Sequence, residues 1–401
     1  MNLRRRLNSL RAFARHDRLI YGHLGITHRC NMRCRMCTVP ERGDVNNEAD
    51  AARFRTVAKE LADLGCLMIS IGGGEPFLRK DLPKIVEAFA DEGLRVRCLT
   101  NGITASKQAL TDVANAGATD MSMSLDSLDA KIQAEIEAMD GIFPRKMRTL
   151  SWIREIFPPD AVHIINAVVT PQTLPGLRAV AEFARRIGFF SSFIPVHLAE
   201  GEHDFFSTDR HLAFTGEQEQ TLRAMYAELL ARRDDGGVVN SKAYLRNSLQ
   251  YLLGEPIDWD CHAGELYVSI APNGRLSICH QFEETDVHEP EGFARWYRDG
   301  DWRERARGMS SKCQECYRPC WAEIDHLAFD AEAFWGALKL RFWNPGKRRM
   351  RLSVEDIERV AARVRDEFGM SAPPPVDPES LLKPIEEPTP ADDADATEVA
   401  V

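Results

Sequence analysis

Three cysteines near the start of the chain, Cys30, Cys34 and Cys37, stand in a C-x₃-C-x₂-C run. Three thiolates on one tight loop can hold three irons of a four-iron cluster and leave the fourth iron open. An open iron is reactive, whereas a fully ligated cluster only stores or passes electrons. Downstream comes Gly72-Gly73-Gly74-Glu75-Pro76. Backbone without Cβ atoms can approach a ligand closely and expose its N–H and C=O groups. Glu75 adds a carboxylate that can meet a cation or start a helical turn. A second cysteine block holds Cys261, Cys279, Cys313, Cys316 and Cys320. The apolar runs Leu266–Ile270 and Arg275–Ile278 flank an Asn273-Gly274 turn, the mark of a β-hairpin. Such a hairpin brings Cys261 and Cys279 side by side. Cys313 and Cys316 can then close a four-thiolate site, with Cys320 as the alternative ligand. Zinc is the rival metal for both blocks. At the first block it lacks a regular fourth ligand, His28 being placed ahead of the cysteines. Cys66 and Cys98 lie within or beside apolar runs and read as buried small hydrophobes.

These residues need a scaffold, and the sequence alternates in a way that supplies one. Strand-like runs are Leu19–Ile26, Leu67–Ile71, Val96–Leu99, Met121–Leu125, Val162–Val169 and Phe189–Val196. Helical periodicity marks Ala51–Leu64, Leu82–Glu92, Lys107–Ala116, Arg145–Phe157 and Pro175–Ile187. Repeated strand–helix units imply parallel strands joined by right-handed crossovers. Periodicity leaves an open doubly wound sheet and a barrel equally possible. Polar residues recur where strands end: Thr100 and Asn101, then Ser122, Ser124 and Asp126, then Asn166 and Thr170, then His197. Turn and cap chemistry competes with ligand binding at Asn101 and Ser124. Asn166 leans toward binding because it interrupts an apolar strand. His197 reads more readily as structural.

The run Thr27-His28-Arg29-Cys30-Asn31-Met32-Arg33-Cys34-Arg35-Met36-Cys37, with Gly72–Pro76 after the next strand, resembles the radical S-adenosylmethionine (radical SAM) superfamily. The resemblance implies that Cys30, Cys34 and Cys37 hold a [4Fe-4S] cluster bound with S-adenosylmethionine. It places Gly73, Gly74 and Glu75 at the methionine amino group, with Asn101, Ser124, Asp126 and Asn166 as further cofactor contacts. Met36 stands where the family often has an aromatic residue. The implied fold is α/β: a partial (β/α)6 TIM-like barrel, then a small cysteine-rich β-hairpin/helix cluster domain. In such barrels chemistry sits at the C-terminal strand ends. The later block resembles the family's twitch and SPASM extensions. The full SPASM set of cysteines is not complete here, which favours one auxiliary [4Fe-4S] cluster. The implied reaction is reductive cleavage of S-adenosylmethionine to a 5′-deoxyadenosyl radical, which takes hydrogen from a peptide or a small molecule. The auxiliary cluster would accept an electron or bind substrate, and a flavodoxin or ferredoxin would supply electrons. No recognisable peptide-binding domain precedes the barrel, though a separate carrier could present a peptide. The rivals are a zinc-stabilised binding protein and an electron-transfer iron–sulfur protein without radical turnover.

The chain has 401 residues and a net charge of −10. Eight carboxylates against Lys383 place −7 of that charge in Ser371–Val401, which is proline-rich and predicted to be disordered. No basic footprint for nucleic acid is left in the remainder. There is no apolar run long enough for a membrane span, and clustered cysteines suit a reducing cytoplasm. The predicted organisation is 1–18, a basic segment; 19–215, the barrel; 216–260, a helical bridge; 261–325, the cluster domain; 326–370, C-terminal helices; and 371–401, the acidic tail. Phe334–Trp343 followed by Lys347–Arg351 suggests either contact with a membrane surface or partner, or a helix packed on the barrel with a solvated basic end. The second reading is preferred.

Overall fold

The computed structural model describes residues 19–42, 47–158, 160–198, 209–234, 237–282, 287–311, 313, 316–342 and 351–373. Eight strands form one sheet in the order β6-β5-β4-β3-β2-β1-β7-β8. Six of them are parallel neighbours: β1 (Tyr21–Thr27), β2 (Met68–Gly73), β3 (Arg95–Thr100), β4 (Ala118–Ser124), β5 (Ile164–Val169) and β6 (Phe190–Pro195). Helices α1 (Ala51–Asp63), α2 (Leu82–Asp91), α3 (Lys107–Asn115), α4 (Ala130–Glu137), α5 (Phe143–Ile156) and α6 (Leu177–Ile187) alternate with them. This is the expected partial barrel. Among the described residues, no ladder joins the two sheet edges, β6 and β8.

Side-chain alternation separates the two faces of the sheet. On β1, Leu24 and Ile26 are fully buried. A Cβ at Gly22 would meet Ile69, Ile270 and Leu61 of α1, so this face packs on the helices. Tyr21 and His23 point the other way, inward. On β3, Val96, Cys98 and Thr100 are buried, whereas Arg95, Arg97 and Leu99 are partly accessible. The same alternation holds on β5, where Ile164, Asn166 and Val168 are the accessible set. Parallel sheets usually bury both faces. Here the inner face is polar, buried at Tyr21, Ser70, Asp120 and Ser122 and partly accessible at His23, Arg97, Leu99, Ser124 and Asn166. Cys66 and Cys98 belong to the apolar layer, and burial pushes both thiols up to about 12.

The predicted hairpin is present as β7 (Tyr267–Ile270) and β8 (Leu276–Ser277), antiparallel, with Gly274 N–H donating to Ala271 O at 2.9 Å across the turn. Its placement was not foreseen. Strand β7 pairs in parallel with β1, from Tyr21↔Tyr267 to Leu24↔Ile270. The free edge of β1 would otherwise leave a row of backbone groups without partners. The division drawn at residue 261 therefore crosses one continuous sheet. Helix α4 was also missed; eight residues are too few for a periodic signal, and Asp129 starts it by accepting from Lys131 and Ile132 N–H.

The remaining helices are α7 (Glu219–Asp234), α8 (Lys242–Leu252), α9 (Phe293–Asp299), α10 (Trp302–Ser310), α11 (Pro319–Phe329), α12 (Ala331–Phe342) and α13 (Val354–Phe368). The amphipathic α13 packs on α5 and α6. Helix α12 rests mainly on α11 and α8 rather than on the barrel, and its Trp335 is 60% exposed. The basic stretch after it falls largely outside the described residues, as do residues 1–18 and 374–401. The described start of the acidic tail is tied down: Ser371 N–H donates to the Asp129 carboxylate at 3.0 Å. No described helix is long and apolar enough to cross a membrane.

Candidate active site

The first cysteine loop leaves the inner rim of β1. Its entry is fixed by Arg29, whose guanidinium grips Glu48 with two bonds of 3.1 Å. Thr27 donates to the same carboxylate. Cys37 N–H donates to Cys34 O at 2.9 Å, and Arg35 N–H to Ile136 O of α4 at 3.0 Å. Met32 anchors the loop in a small apolar cluster with Ile103 and Ile142. The end of β2 is clipped to this loop: Gly74 N–H donates to Thr27 O at 2.7 Å and Glu75 N–H to Arg29 O at 2.8 Å. Only glycine suits this approach. Gly73 has φ +111°, and a Cβ on Gly74 would lie 2.1 Å from Arg29 O.

The thiols of the loop feel one another. Burial raises Cys30 to about 12, helped by the charges of Glu75 and Cys37. Cys34 is raised by burial, then by Glu137, Cys37, Asp126 and Cys30. Burial also raises Cys37, opposed by the Val39 N–H and the Arg318 guanidinium. Among the described residues no group of three His, Cys, Asp or Glu side chains is placed to hold a single metal ion. A three-thiol donor set beside close-approach glycines fits a cluster with one open iron in chemistry and in cradle.

The strand-end residues divide. Glu75 turns inward: its carboxylate accepts from Phe77 N–H, Thr100 Oγ1 and Asn101 N–H, at 3.1, 3.0 and 2.7 Å. This is the cap reading; the carboxylate braces β2 to β3, and burial pushes it up to about 7. Asn101 lies at the cysteine loop, with Nδ2 at 2.8 Å from Asn31 Oδ1 and 3.9 Å from Cys30 Sγ. Ser124 and Asn166 are register partners on the partly accessible inner face. Asp126 is buried and accepts from Val168 N–H at 2.7 Å; burial and then Glu137 push it up to about 7. Thr170 exchanges hydrogen bonds with Thr173 in a turn. His197 accepts from Tyr317 N–H at 2.9 Å, holding the second cysteine block against the barrel.

In that block the charge of Cys279 is felt with those of Cys316, Cys261 and Cys313, after burial, in setting its raised pKa. Cys261 likewise feels Cys316, and Cys320 feels Cys316. Cys261, Cys279, Cys313, Cys316 and Cys320 thus stand in one neighbourhood. Aromatic rings surround them. Tyr267 Oη lies 3.3 Å from Cys261 Sγ and donates to Asp325 Oδ2 at 2.9 Å. Trp259 Nε1 donates to the same oxygen at 2.8 Å. The Tyr267 ring stacks on Trp321 at 4.6 Å.

Sequence reasoning missed several residues. Lys146 is wholly buried and donates to Glu137 Oε1, Asn101 O and Ser124 O at 2.8, 2.7 and 2.8 Å. It ties two strand ends to a carboxylate beside Cys34. Its only sequence signal was one lysine among the buried positions of α5, which also include Thr149, Ser151 and Arg154. Arg318 pulls down both Cys37 and Cys320, so one guanidinium serves both cysteine regions. His23 faces the barrel interior, its ring 4.7 Å from that of His280.

Residues 24–184 match the family model described as the radical SAM superfamily. The PqqA peptide cyclase of Rhodopseudomonas palustris is 25% identical over 332 residues, 78% of this chain and 82% of that protein. That of Xanthomonas euvesicatoria pv. vesicatoria is 27% identical over 271 residues, 66% and 68% of the two chains. Among solved structures, Streptococcus suis SuiB bound to S-adenosylmethionine shares the fold with a TM-score of 0.59 at 17% identity, covering 78% of this chain and 75% of SuiB. anSMEcpe with bound AdoMet shares it with a TM-score of 0.56 at 13% identity, covering 86% and 99%. The family match spans the strands that carry the cysteine triad and the Gly-Gly-Glu-Pro turn; residues 24–184 form a radical SAM domain, and the similarities indicate a radical SAM enzyme.

Proposed function

We propose that the protein modifies a peptide, with Cys30, Cys34 and Cys37 holding the [4Fe-4S] cluster that goes with its family, and Cys261, Cys279, Cys313 and Cys316 holding one auxiliary cluster. The observation that carries the peptide reading is the long similarity to PqqA peptide cyclases. An alignment over 78% of the chain runs well beyond the barrel. When bound, the first cluster and S-adenosylmethionine supply a 5′-deoxyadenosyl radical that takes a hydrogen atom from an unactivated C–H bond. The chain's own part is to bind, orient and exclude water. Gly73 and Gly74 let the backbone of β2 approach the methionine moiety. Asn101 and Asn31 bring amide groups to the edge of Cys30, and Ser124 and Asn166 line the wall opposite. Glu75 and Lys146 keep these strand ends in place. Zinc in the rear site would give the same ligand set a purely structural role. A flavodoxin or ferredoxin would be the electron donor, and the cytoplasm the compartment.

The test is anaerobic incubation with S-adenosylmethionine, a reductant and peptides, beginning with PqqA. 5′-Deoxyadenosine should form together with a mass change in a peptide. Formation stimulated by small molecules alone, with every peptide left unchanged, would overturn the peptide reading. Iron and acid-labile sulfide that halve when Cys261 and Cys279 are replaced would distinguish an auxiliary cluster from zinc.

A further inference from the structure

The inner face of the barrel carries a partly accessible arginine, Arg97, that shares its one counter-charge, Asp120, with Arg95. A Cβ at Gly72 would meet Leu99 Cδ2 at 3.4 Å and the His23 ring at 3.7 Å. Leu99 therefore points inward, and so does Arg97 two residues earlier. The register places His23 beside Ser70 and Ser70 beside Arg97, one polar layer across three strands. This layer lies two residues below Gly72, about 7 Å deeper than the rim at 3.3 Å per residue.

At that depth two guanidiniums share one carboxylate. Asp120 is wholly buried and held by Arg95 through Nε and, at 2.7 Å, through Nη2. It also accepts from Val162 N–H at 2.7 Å and Thr119 Oγ1 at 3.3 Å. Arg97 Nη2 comes only to 4.0 Å of Asp120 Oδ2. The hydrogen bond of the Arg97 fork goes from Nη1 to Ser122 Oγ at 2.9 Å. An arginine side chain has five N–H donors. The side chain is 11% exposed, on the accessible inner face. Burial pulls its pKa down despite Asp120, as expected of a buried cation with too little counter-charge.

We propose that Arg97 forms a carboxylate-binding subsite in the barrel floor, which receives an acidic side chain or the terminal carboxylate of the substrate. The planar fork matches a carboxylate with two parallel bonds. Ser70 and Ser122 supply flanking hydroxyls. The same chemistry has a second source, the methionine carboxylate of S-adenosylmethionine. The depth favours the substrate, because Gly73 and Gly74 hold the cofactor at the rim in the proposed function on which this inference rests.

Saturation-transfer NMR on the reconstituted protein tests it with two single-residue probes, N-acetylglutamate α-amide and its neutral isostere N-acetylglutamine α-amide. The acid should bind roughly tenfold tighter, the difference expected of a charge-assisted bidentate pair. Arg97→Met should erase that preference, and Arg97→Lys should keep part of it, since lysine offers a point charge without the fork. Thermal melting of both variants checks their folding; if Arg97→Met does not fold, a weakened preference in Arg97→Lys carries the test. Equal binding of the two probes, no detectable binding, or a preference undiminished in the variants would overturn the subsite. Displacement of the acid by S-adenosylmethionine, with loss of S-adenosylmethionine affinity in the variants, would assign Arg97 to the cofactor and also overturn it. The probes need no turnover, so failure here leaves the peptide reading to its own mass measurement.

Discussion

The front cysteines sit on one loop, whereas the rear cysteines are gathered from the two ends of a hairpin and a later turn. Around Cys30, Cys34 and Cys37 stand backbone-presenting glycines, amides and carboxylates. They adjoin an inner barrel face that solvent reaches. Beside the rear cysteines stand Tyr267, Trp259 and Trp321, with Asp325 accepting from Tyr267 and Trp259 and Trp321 stacked on Tyr267. Three donors beside a partly accessible polar face suit a cluster that binds a ligand; four donors beside aromatic rings suit one that is saturated. The difference lies less in cysteine count than in what closes the fourth side.

The largest effects should separate the two sites outright. Replacing Cys30, Cys34 and Cys37 together by alanine should abolish 5′-deoxyadenosine formation and take the iron content from about eight to about four per chain, as for two four-iron clusters. Replacing Cys261 and Cys279 should remove a similar amount of iron yet leave some cleavage of S-adenosylmethionine, while peptide product disappears. Solubility must be checked in the same samples, because losing a metal site can unfold its surroundings. Retained cleavage in the triple variant would end the distinction between the sites.

A second break tests how the front rim is held. Lys146 and Glu137 form an ion pair with side chains 0% and 2% exposed. Lys146→Met strands a carboxylate, at a cost of roughly 3–5 kcal/mol in denaturant unfolding. Adding Glu137→Gln should recover part of that loss. The rear site has Asp325 in the corresponding position, but its partners are neutral rings and a histidine. An unchanged unfolding midpoint in Lys146→Met would show that the strand ends hold without the pair.

The barrel was legible because its signals are local. Apolar runs such as Val162–Val169 and helical periodicity such as that of Lys107–Ala116 appear in the order in which they fold. The cysteine loop was legible for the same reason, three cysteines lying within eight residues. What stayed hidden depends on distant pairing. Nothing in Tyr267–Ile270 announces that it will join β1. Nothing in Lys146 announces a contact with the carbonyls of Asn101 and Ser124. At Glu75 a binding role and a cap role share one sequence signature, and the contacts with Phe77, Thr100 and Asn101 show the cap. Arg97 lies inside the strand-like run Val96–Leu99 with no signal of its own, and what it can bind depends on Asp120 being engaged by Arg95.

A finer test sharpens the role of close approach at the front site. In Gly74→Ala the new Cβ would meet backbone, Arg29 O at 2.1 Å and His28 O at 2.9 Å. Backbone cannot swing aside as a flexible side chain can, so the cysteine loop must shift. Overpacking of this kind costs about 1–3 kcal/mol, and affinity for S-adenosylmethionine should fall more than stability does. The rear site should be untouched, with iron content reduced at the front alone. Unaltered cofactor affinity would show that the glycine is there for its turn and not for its approach.

The smallest effect compares two carboxylates with opposite pH behaviour, Asp120 wholly buried and Glu323 partly accessible. Burial would raise Asp120, but Arg95 and Arg97 outweigh it and hold the group below the usual range. Its stabilising contribution is present at neutral pH and is lost as pH falls through the folded value. Glu323 accepts from Ser241 N–H at 2.8 Å and Asn240 Nδ2 at 3.3 Å, yet burial pushes it up from 4.5 to about 7. The folded chain therefore keeps a proton that the unfolded chain has released, and stability falls as pH rises between those values. Glu75 and Asp126, both raised to about 7, act in the same direction. Glu323→Gln should thus flatten, without abolishing, the decline in melting temperature between pH 5 and pH 8, by a few degrees, since about 1 kcal/mol moves a domain of this size by roughly 2–4 °C. A slope identical to that of the parent would mean that Glu323 is ionised in the folded chain throughout the range, with Arg233, the cation that lowers it, supplying the counter-charge.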